Sequence, residues 1–327
     1  MSRGWGRGLA AAALLCAAGA AWIARDHRSA LLRLHGWLTP AAGLEAAPAL
    51  DPGVAWHDDY YTLERLDEGT WAIGEPRFAE KNFDYLILGA TRGVLFDAGP
   101  GLRQLAPVVA ALTDLPVTFV PSHLHYDHVG GARGFERVAM IDLPALRSQA
   151  PRGTLVPTFA QHLGAVAGLE APALEVDEWW APGARIDLGG RALEVWHVPG
   201  HTPESAALHD PERGWVFAGD YLYPGELYAF LPGSSLADYL WSAERLLRGL
   251  GPGSVFFGAH GLEATAAPAL ALRDVADLRD ALREIRAGER QGEGLFPRRY
   301  PVSERLTLAA DGIAGDWTPR ASPAPGR

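Results

Sequence analysis

The stretch that decides the fold is PSHLHYDHVGG, residues 121–131, which places three histidines and one aspartate within six positions. It continues the apolar run PVTFV at 116–120, whose β-branched and aromatic residues predict a buried strand. In folds that combine strands and helices, binding groups collect at the carboxyl ends of strands. We therefore expect such an end to carry four side chains: His123, His125, Asp127 and His128.

The spacing of these side chains favours a metal site. Alternation along an extended chain puts His123, His125 and Asp127 on one side. A glycine turn at 130–131 would bring His128 beside Asp127. Imidazole nitrogens and carboxylate oxygens without thiolates are typical ligands of zinc. The alternative interpretation of the segment is a solvated polar turn.

The composition excludes other kinds of site. Cys16 is the only cysteine in the 327 residues, so the chain cannot form an intramolecular disulfide or a cysteine-rich zinc site. Its 29 basic and 39 acidic residues give a net charge of −10, without the basic surface expected of a nucleic-acid binder. Any metal must be held by histidines and carboxylates, and we expect no nucleic-acid partner.

Short apolar runs separated by turn residues follow Val54. A meander of strands comes first and strands then alternate with helices, which predicts a mixed α/β sandwich of two sheets covered by helices. Residues 149–183 interrupt this pattern and are predicted to form an inserted loop or lid. The predicted strands are 70–75, 82–89, 92–99, 116–122, 138–141, 193–198, 205–209, 214–218 and 254–258, and the predicted helices are 102–112, 235–250 and 269–287.

Three later segments each carry one further potential ligand. VWHVPGHTPES contains His201, WVFAGDYLY contains Asp220 and VFFGAH contains His260. Together with HxHxDH at 123–128 and Asp97 in LFDAG, this order of motifs resembles the metallo-β-lactamase superfamily.

The resemblance, which covers residues 65–265, implies an α+β fold, the four-layer αβ/βα sandwich of that superfamily. It also implies two Zn²⁺ ions bridged by Asp220, although other divalent transition metals would suit the same donors. Asp97 would be structural. One ion would be held by His123, His125 and His201, and the other by Asp127, His128 and His260.

The charge of such a centre suits the stabilisation of an oxyanion, because two zinc ions with two aspartates and one hydroxide carry a net charge of +1. The resemblance implies that a metal-bridging hydroxide attacks a carbonyl carbon. Asp127 would act as the catalytic proton relay. Tyr223, three residues after Asp220, would either bind the substrate carbonyl or pack within the protein.

Departures from the family pattern reduce the number of reactions to be expected. Asp220 stands where true β-lactamases carry Cys or Ser, so lactam hydrolysis is not expected. His125 is intact where redox members have Glu. Segments such as 95–105 and 198–210 resemble acyl-coenzyme-A thioesterases, so the expected substrate is a small-molecule thioester of that type. The alternatives are a lactonase or other ester hydrolase, a glyoxalase II-like hydrolase, and an inactive zinc-binding sensor or binding protein.

The N-terminal segment is predicted separately. Residues 8–24 form an uncharged, alanine- and leucine-rich run that would span about 25 Å as a helix. This hydrophobic helix predicts either a signal anchor or a cleaved signal peptide, and hence a membrane-anchored or periplasmic, extracytoplasmic protein. The amphipathic stretch 27–38 is compatible with a membrane-surface helix, a stalk or a helix packed on the domain.

The predicted units follow from these patterns, whereas the oligomeric state does not. They are a signal anchor or signal peptide at 1–24, an amphipathic stretch and linker at 25–53, a hydrolase domain at 54–310 and a flexible tail at 311–327.

Overall fold

A computed structural model describes residues 26–38, 43–313 and 317–321. Two six-stranded sheets form its centre. In the first sheet the strands follow chain order and are antiparallel except for the last pair, which is parallel. These strands are β1 (Val54–Trp56), β2 (Thr62–Asp67), β3 (Thr70–Gly74), β4 (Phe83–Leu88), β5 (Gly93–Phe96) and β6 (Val117–Val120).

The second sheet has the order β11-β12-β13-β14-β16-β17, and only β14 and β16 pair in parallel. Its strands are β11 (Arg185–Asp187), β12 (Ala192–His197), β13 (Ala206–Asp210), β14 (Trp215–Gly219), β16 (Val255–Gly258) and β17 (Ala269–Ala271). Smaller sheets join β7 (Ala139–Ile141) to β10 (Glu178–Trp180), β8 (Thr154–Leu155) to β9 (Leu174–Glu175), and β15 (Gly225–Ala229) through β19 (Leu306–Ala310) to β18 (Arg298–Pro301).

Helices cover this sandwich. The seven described α-helices are α1 (His27–Leu38), α2 (Ala106–Leu112), α3 (Tyr126–Val129), α4 (Pro144–Gln149), α5 (Phe159–His162), α6 (Leu236–Gly249) and α7 (Leu272–Ala287). Ser235 caps α6 by accepting a hydrogen bond from the Asp238 amide at 3.3 Å. The predicted helix 269–287 is shorter than expected at its start, because its first three residues form the edge strand β17.

Alternate side chains of the second sheet enter two separate cores. Leu193 and Phe217 belong to a cluster that includes Leu86 of the first sheet. Their neighbour Val216 belongs to a second cluster, which includes Tyr239 of α6. Because successive side chains of a strand point to opposite faces, this sheet separates a core between the sheets from a core beneath α6 and α7. The predicted two-sheet sandwich covered by helices is confirmed.

The N-terminal predictions have different outcomes. The stretch 27–38 forms α1, which packs on the domain, one of the three arrangements considered. The hydrophobic run 8–24 lies outside the described residues. Within residues 26–38, 43–313 and 317–321, the helices are all too short or too polar to cross a membrane. The predicted membrane-anchored or extracytoplasmic location is corrected accordingly, because none of these described helices provides a membrane anchor.

Buried polar contacts hold α1 in place. The Arg28 guanidinium donates to Asp311 Oδ2 at 2.9 Å and to the carbonyl oxygens of Leu231 and Ser234 at 3.0 and 2.9 Å. Arg28 is 5% exposed and Asp311 is 3% exposed. Described residues of the expected tail also contact the domain, since the Arg320 amide donates to Asp238 Oδ2 at 2.8 Å.

We predict that Arg28→Ala lowers the free energy of unfolding by about 1.5–3 kcal/mol, because the buried Asp311 carboxylate loses the guanidinium and keeps His27 Nε2 at 2.6 Å. Arg33→Ala on the same helix is the matched control. It removes an exposed stacking contact with Phe159, worth about 0.5–1 kcal/mol. Urea unfolding of both variants measures the difference. Equal losses would show that the contacts of Arg28 do not stabilise the docked helix.

Candidate metal centre

The ends of four strands bring the predicted ligands together. The HxHxDH segment follows β6, His201 follows β12, Asp220 directly follows β14 and His260 follows β16. A bridge between Asn82 and His260 connects the two sheets here. The seven side chains form two buried groups: His123, His125, His201 and Asp220 in one, and Asp127, His128 and His260 in the other.

The first group contains three closely spaced imidazoles in addition to Asp220. His125 Nδ1 lies 2.8 Å from His123 Nε2 and 2.9 Å from His201 Nε2. Burial is the largest influence on these histidines and lowers the pKa of each. The neutral form that binds metals is therefore favoured, and three nitrogen lone pairs converge on one point.

The second group faces the first across Asp220. Asp127 Oδ2 lies 3.5 Å from the Nε2 atoms of both His128 and His260. Asp220 Oδ1 is 3.0 Å from His260 Nε2, whereas Asp220 Oδ2 is 3.3 Å from His201 Nε2. The two oxygens of the Asp220 carboxylate thus approach histidines of different groups, which is the arrangement expected of a bridging ligand.

The charges of these side chains influence one another strongly. Burial by itself raises the pKa of Asp220, but His260, His128 and His201 outweigh burial and hold that pKa well below its usual range. Burial lowers the pKa of His260, yet the Asp220 and Asp127 carboxylates raise it overall to about 9. The pocket therefore favours positive charge beside Asp220.

Two buried atoms test whether this donor set fits a metal. His128 Nε2 and Asp220 Oδ1 have no hydrogen-bond partner among the described residues, although they lie 3.3 Å apart. Buried polar atoms are rarely left unpartnered. A cation that accepts both lone pairs satisfies them, so the residues present fit divalent metal ions.

Hydrogen bonds on the far side of each ring fix its orientation. His201 Nδ1 lies 2.8 Å from the carbonyl oxygen of Tyr228, and His260 Nδ1 lies 2.8 Å from that of Glu80. Because a carbonyl only accepts hydrogen bonds, Nδ1 carries the proton in both rings. Each Nε2, which carries the lone pair in the neutral ring, points into the centre.

Asp97 supports His128 in the same way, from a strained backbone position. Its Oδ2 lies 2.9 Å from His128 Nδ1, and its Oδ1 accepts a hydrogen bond from the Ser122 amide at 2.6 Å. The φ angle of Asp97 is +66°, which is uncommon for a residue with a side chain. Such strain is typical of functional sites.

The glycine pair of the motif has a different role from the predicted turn. Residues 126–134 are helical, and Gly130 has an ordinary helical φ of −60°. A Cβ at Gly130 would lie 2.1 Å from the Pro100 carbonyl oxygen, and one at Gly131 would lie 2.3 Å from that of Ala98. The glycines therefore permit close approach of two backbones, and the start of α3 at Tyr126 places His128.

Sequence reasoning missed several supporting groups. Asn82 Nδ2 donates to the carbonyl oxygen of Asp127 at 2.8 Å, and Ser122 Oγ lies 3.0 Å from His123 Nδ1. Asn82 and Ser122 stand at the ends of the predicted strands 82–89 and 116–122, and this position is the sequence feature that could have indicated their role. Tyr223 packs its ring 5.0 Å from that of His260 and donates its hydroxyl to the Glu226 carbonyl at 2.7 Å. A hydrogen bond from Tyr223 to a substrate stays a prediction, and it would require that contact to break.

Comparisons with known proteins agree with the fold and the site. Residues 80–290 match the family model of the metallo-beta-lactamase superfamily, and the chain belongs to that superfamily. It is 32% identical over 210 residues to acyl-coenzyme A thioesterase MBLAC2 of Gallus gallus, covering 58% of this chain and 76% of that protein. The predicted resemblance to the superfamily, and within it to thioesterases, is confirmed.

Two further matches support the same assignment. Hydroxyacylglutathione hydrolase of Aeromonas salmonicida (strain A449) is 33% identical over 156 residues, covering 47% of this chain and 51% of that protein. A metallo beta lactamase structure from Erythrobacter litoralis aligns with a TM-score of 0.51 and 17% identity, covering 71% of this chain and 99% of that chain. The second match is a likeness of fold alone. The family and its relatives support a hydrolase.

We predict that His123→Ala and Asp220→Ala each lower the number of metal ions bound per chain, with the larger loss in Asp220→Ala because that carboxylate contacts both groups. Elemental analysis of the purified variants measures this number. His209→Ala, which removes a histidine paired with Glu194 at 3.2 Å away from the centre, should leave it unchanged. Unchanged metal content in both ligand variants would falsify the assignment.

A buried carboxyl pair lies beyond Asp97. Glu75 is 1% exposed and accepts a hydrogen bond from the Tyr60 hydroxyl, and Asp84 Oδ1 accepts one from the Gly99 amide at 2.9 Å. Burial is the main cause that raises the pKa of Glu75 from its ordinary value of 4.5 to about 8. The folded protein therefore resists ionisation of Glu75 more than the unfolded chain does.

This pair predicts a pH-dependent stability. The pKa of Glu75 is higher in the folded protein than in the unfolded chain. The stability that the protonated Glu75 contributes is therefore fully present below pH 4.5 and is lost as pH rises through about 8. Glu75→Gln mimics the protonated side chain, so its melting temperature should fall less than that of the wild type between pH 6 and pH 9. The exposed Glu68→Gln is the control. Parallel melting curves for wild type and Glu75→Gln would contradict the prediction.

Proposed function

We propose that the protein is a dinuclear zinc hydrolase that cleaves a thioester of the acyl-coenzyme-A type. The observation that carries the proposal is the position of Asp220, whose two oxygens approach different ligand groups at 3.0 and 3.3 Å. The named activity of the relative from Gallus gallus supports the thioester substrate. Zinc is favoured because the donors are imidazoles and carboxylates in buried, closely spaced groups.

Two divalent cations, when bound, would supply activated water at neutral pH and polarise a carbonyl group. The side chains of the protein determine where the cations and the water would lie. The two ligand sets fix the site, and their burial excludes bulk water, which strengthens electrostatic interactions there. Asp127 is the candidate for moving the proton, at Oδ2, which lies 3.5 Å from two histidine nitrogens.

Asp127 is held firmly enough for this role. Asn82 donates to its backbone carbonyl at 2.8 Å, and Asn82 Nδ2 lies 3.4 Å from Asp127 Oδ2. The residue also lies in the first turn of α3, which begins at Tyr126 directly after the extended His125. A carboxylate fixed from two sides can accept a proton from the attacking water and return it to a leaving thiolate.

A second thioester substrate deserves a parallel test, because one relative is a hydroxyacylglutathione hydrolase. Lactones and other esters are the remaining candidates, since the chemistry at the carbonyl carbon is the same. Asp220 argues against lactams as substrates, because true β-lactamases carry Cys or Ser at that position. An inactive zinc-binding protein is the candidate of another class.

The zinc-loaded full-length chain should hydrolyse acyl-coenzyme-A thioesters faster than S-lactoylglutathione or homoserine lactones, as measured by kcat/KM. Release of free thiol monitors the thioesters. Lactone turnover without thioester turnover would overturn the proposed substrate, and tight binding of two zinc ions without any turnover would favour the binding protein.

We predict that Asp127→Asn lowers kcat about 10²–10⁴-fold, because the amide cannot accept the proton. Activity is expressed per bound metal, so that a change in metal content is separated from a change in proton transfer. A kcat per metal within threefold of the wild type would contradict the role of Asp127.

A further inference from the structure

A cavity of about 410 Å³ lies beside the loop that carries His201. Its walls come from residues 202–204 of that loop, from the beginning of α4, from α5 and from residues 320–321 near the end of the chain. The seven side chains of the metal centre do not line it. Its volume lies within the range of about 300–1,000 Å³ that is usual for small-molecule sites.

The walls are mainly apolar and are fixed by other contacts. Leu143, Leu146 and Pro203 supply aliphatic surface. The wall near the end of the chain is pinned to α6, because Asp238 Oδ2 accepts hydrogen bonds from the amides of residues 320 and 321 at 2.8 and 3.1 Å. The cavity is therefore formed before any ligand enters.

Glu204 is the acidic residue of the cavity lining, whose other polar members are Gln161, His197, Thr202 and Arg320. It lines the cavity, is 5% exposed, and its Oε1 has no hydrogen-bond partner in the part of the chain that the structure describes. Burial raises the pKa of its carboxyl group to about 7, against the opposing influence of its own amide, of Thr202 and of the Leu124 amide. A buried oxygen without a donor is unfavourable, so a ligand that supplies a donor is stabilised here.

We propose that this cavity binds an aliphatic molecule that ends in a hydrogen-bond donor, either a hydroxyl or an ammonium group. The donor end contacts Glu204 Oε1, and the chain packs against Leu143, Leu146 and Pro203. A carboxylate end is disfavoured at Glu204, because it would bring a second acid against that residue. The cationic Arg320 of the wall donates through Nε to the Ser234 carbonyl at 3.3 Å. The site is distinct from the catalytic one and does not depend on the identity of the substrate.

The position of Glu204 connects the cavity to the metal centre. Leu124, whose amide it contacts, separates His123 from His125, and Thr202 directly follows His201. A ligand held by Glu204 therefore stabilises the two loops that carry the three-histidine group. Coupling between binding sites is reciprocal, so metal loading should also strengthen ligand binding.

Isothermal titration of the full-length, zinc-loaded protein at pH 8 tests the proposal with 1-hexanol, hexylammonium and hexanoate as probes. We expect saturable binding of one molecule of a donor probe per chain, at least tenfold tighter than binding of hexanoate. Ala160→Phe fills the cavity from an exposed wall position and should weaken binding at least tenfold without changing the metal content. Ala165→Phe, exposed and away from the cavity, is the matched control and should bind like the wild type.

Glu204→Gln identifies the donor. A loss confined to hexylammonium supports an ammonium ligand, and similar losses for both donor probes support a hydroxyl ligand. Saturable binding of neither donor probe would overturn the proposal, as would equal binding by the wild type and Ala160→Phe. Strict competition between the probes and the hydrolysed substrate would also overturn it, because the cavity would then belong to the substrate path.

Discussion

The structure depends on one shared carboxylate. Asp220 reaches the three-histidine group through Oδ2 and the second group through Oδ1, so both groups must keep their places for either to be satisfied. Burying this charge is unfavourable unless cations surround it. The neighbouring histidines alone hold the pKa of Asp220 well below its usual range, and divalent metals would complete the compensation.

The supports of this centre extend far along the chain. Tyr228 holds His201 through its carbonyl, and three residues later the Leu231 carbonyl accepts from Arg28 of α1 at 3.0 Å. Helix α1, which precedes the sandwich in the chain, thus stabilises the segment that holds the predicted ligand His201. The same loop of His201 continues into Glu204 and the apolar cavity, so ligand positions and distant packing are parts of one structure.

Strand periodicity and HxHxDH spacing are local patterns, so they predict the two sheets and four of the seven clustered side chains. The other three, His201, Asp220 and His260, follow from the resemblance to the superfamily. Sequence reasoning could not find the support of His201 and His260, since backbone carbonyls leave no mark in side-chain identity. Local patterns do not predict the docking of α1, because Arg28 and Asp311 are 283 residues apart. The glycine pair at 130–131 predicts a turn from sequence, whereas it is required by the close approach of another backbone segment.

X-ray absorption spectroscopy of the zinc-loaded full-length protein tests the central claim most directly. The account predicts a coordination sphere of nitrogen and oxygen atoms at about 2.0–2.2 Å without sulfur. It also predicts scattering between two zinc ions at about 3.5–4 Å, as in other two-metal sites. A spectrum without metal–metal scattering, or one with a sulfur shell, would contradict a dinuclear centre bridged by Asp220.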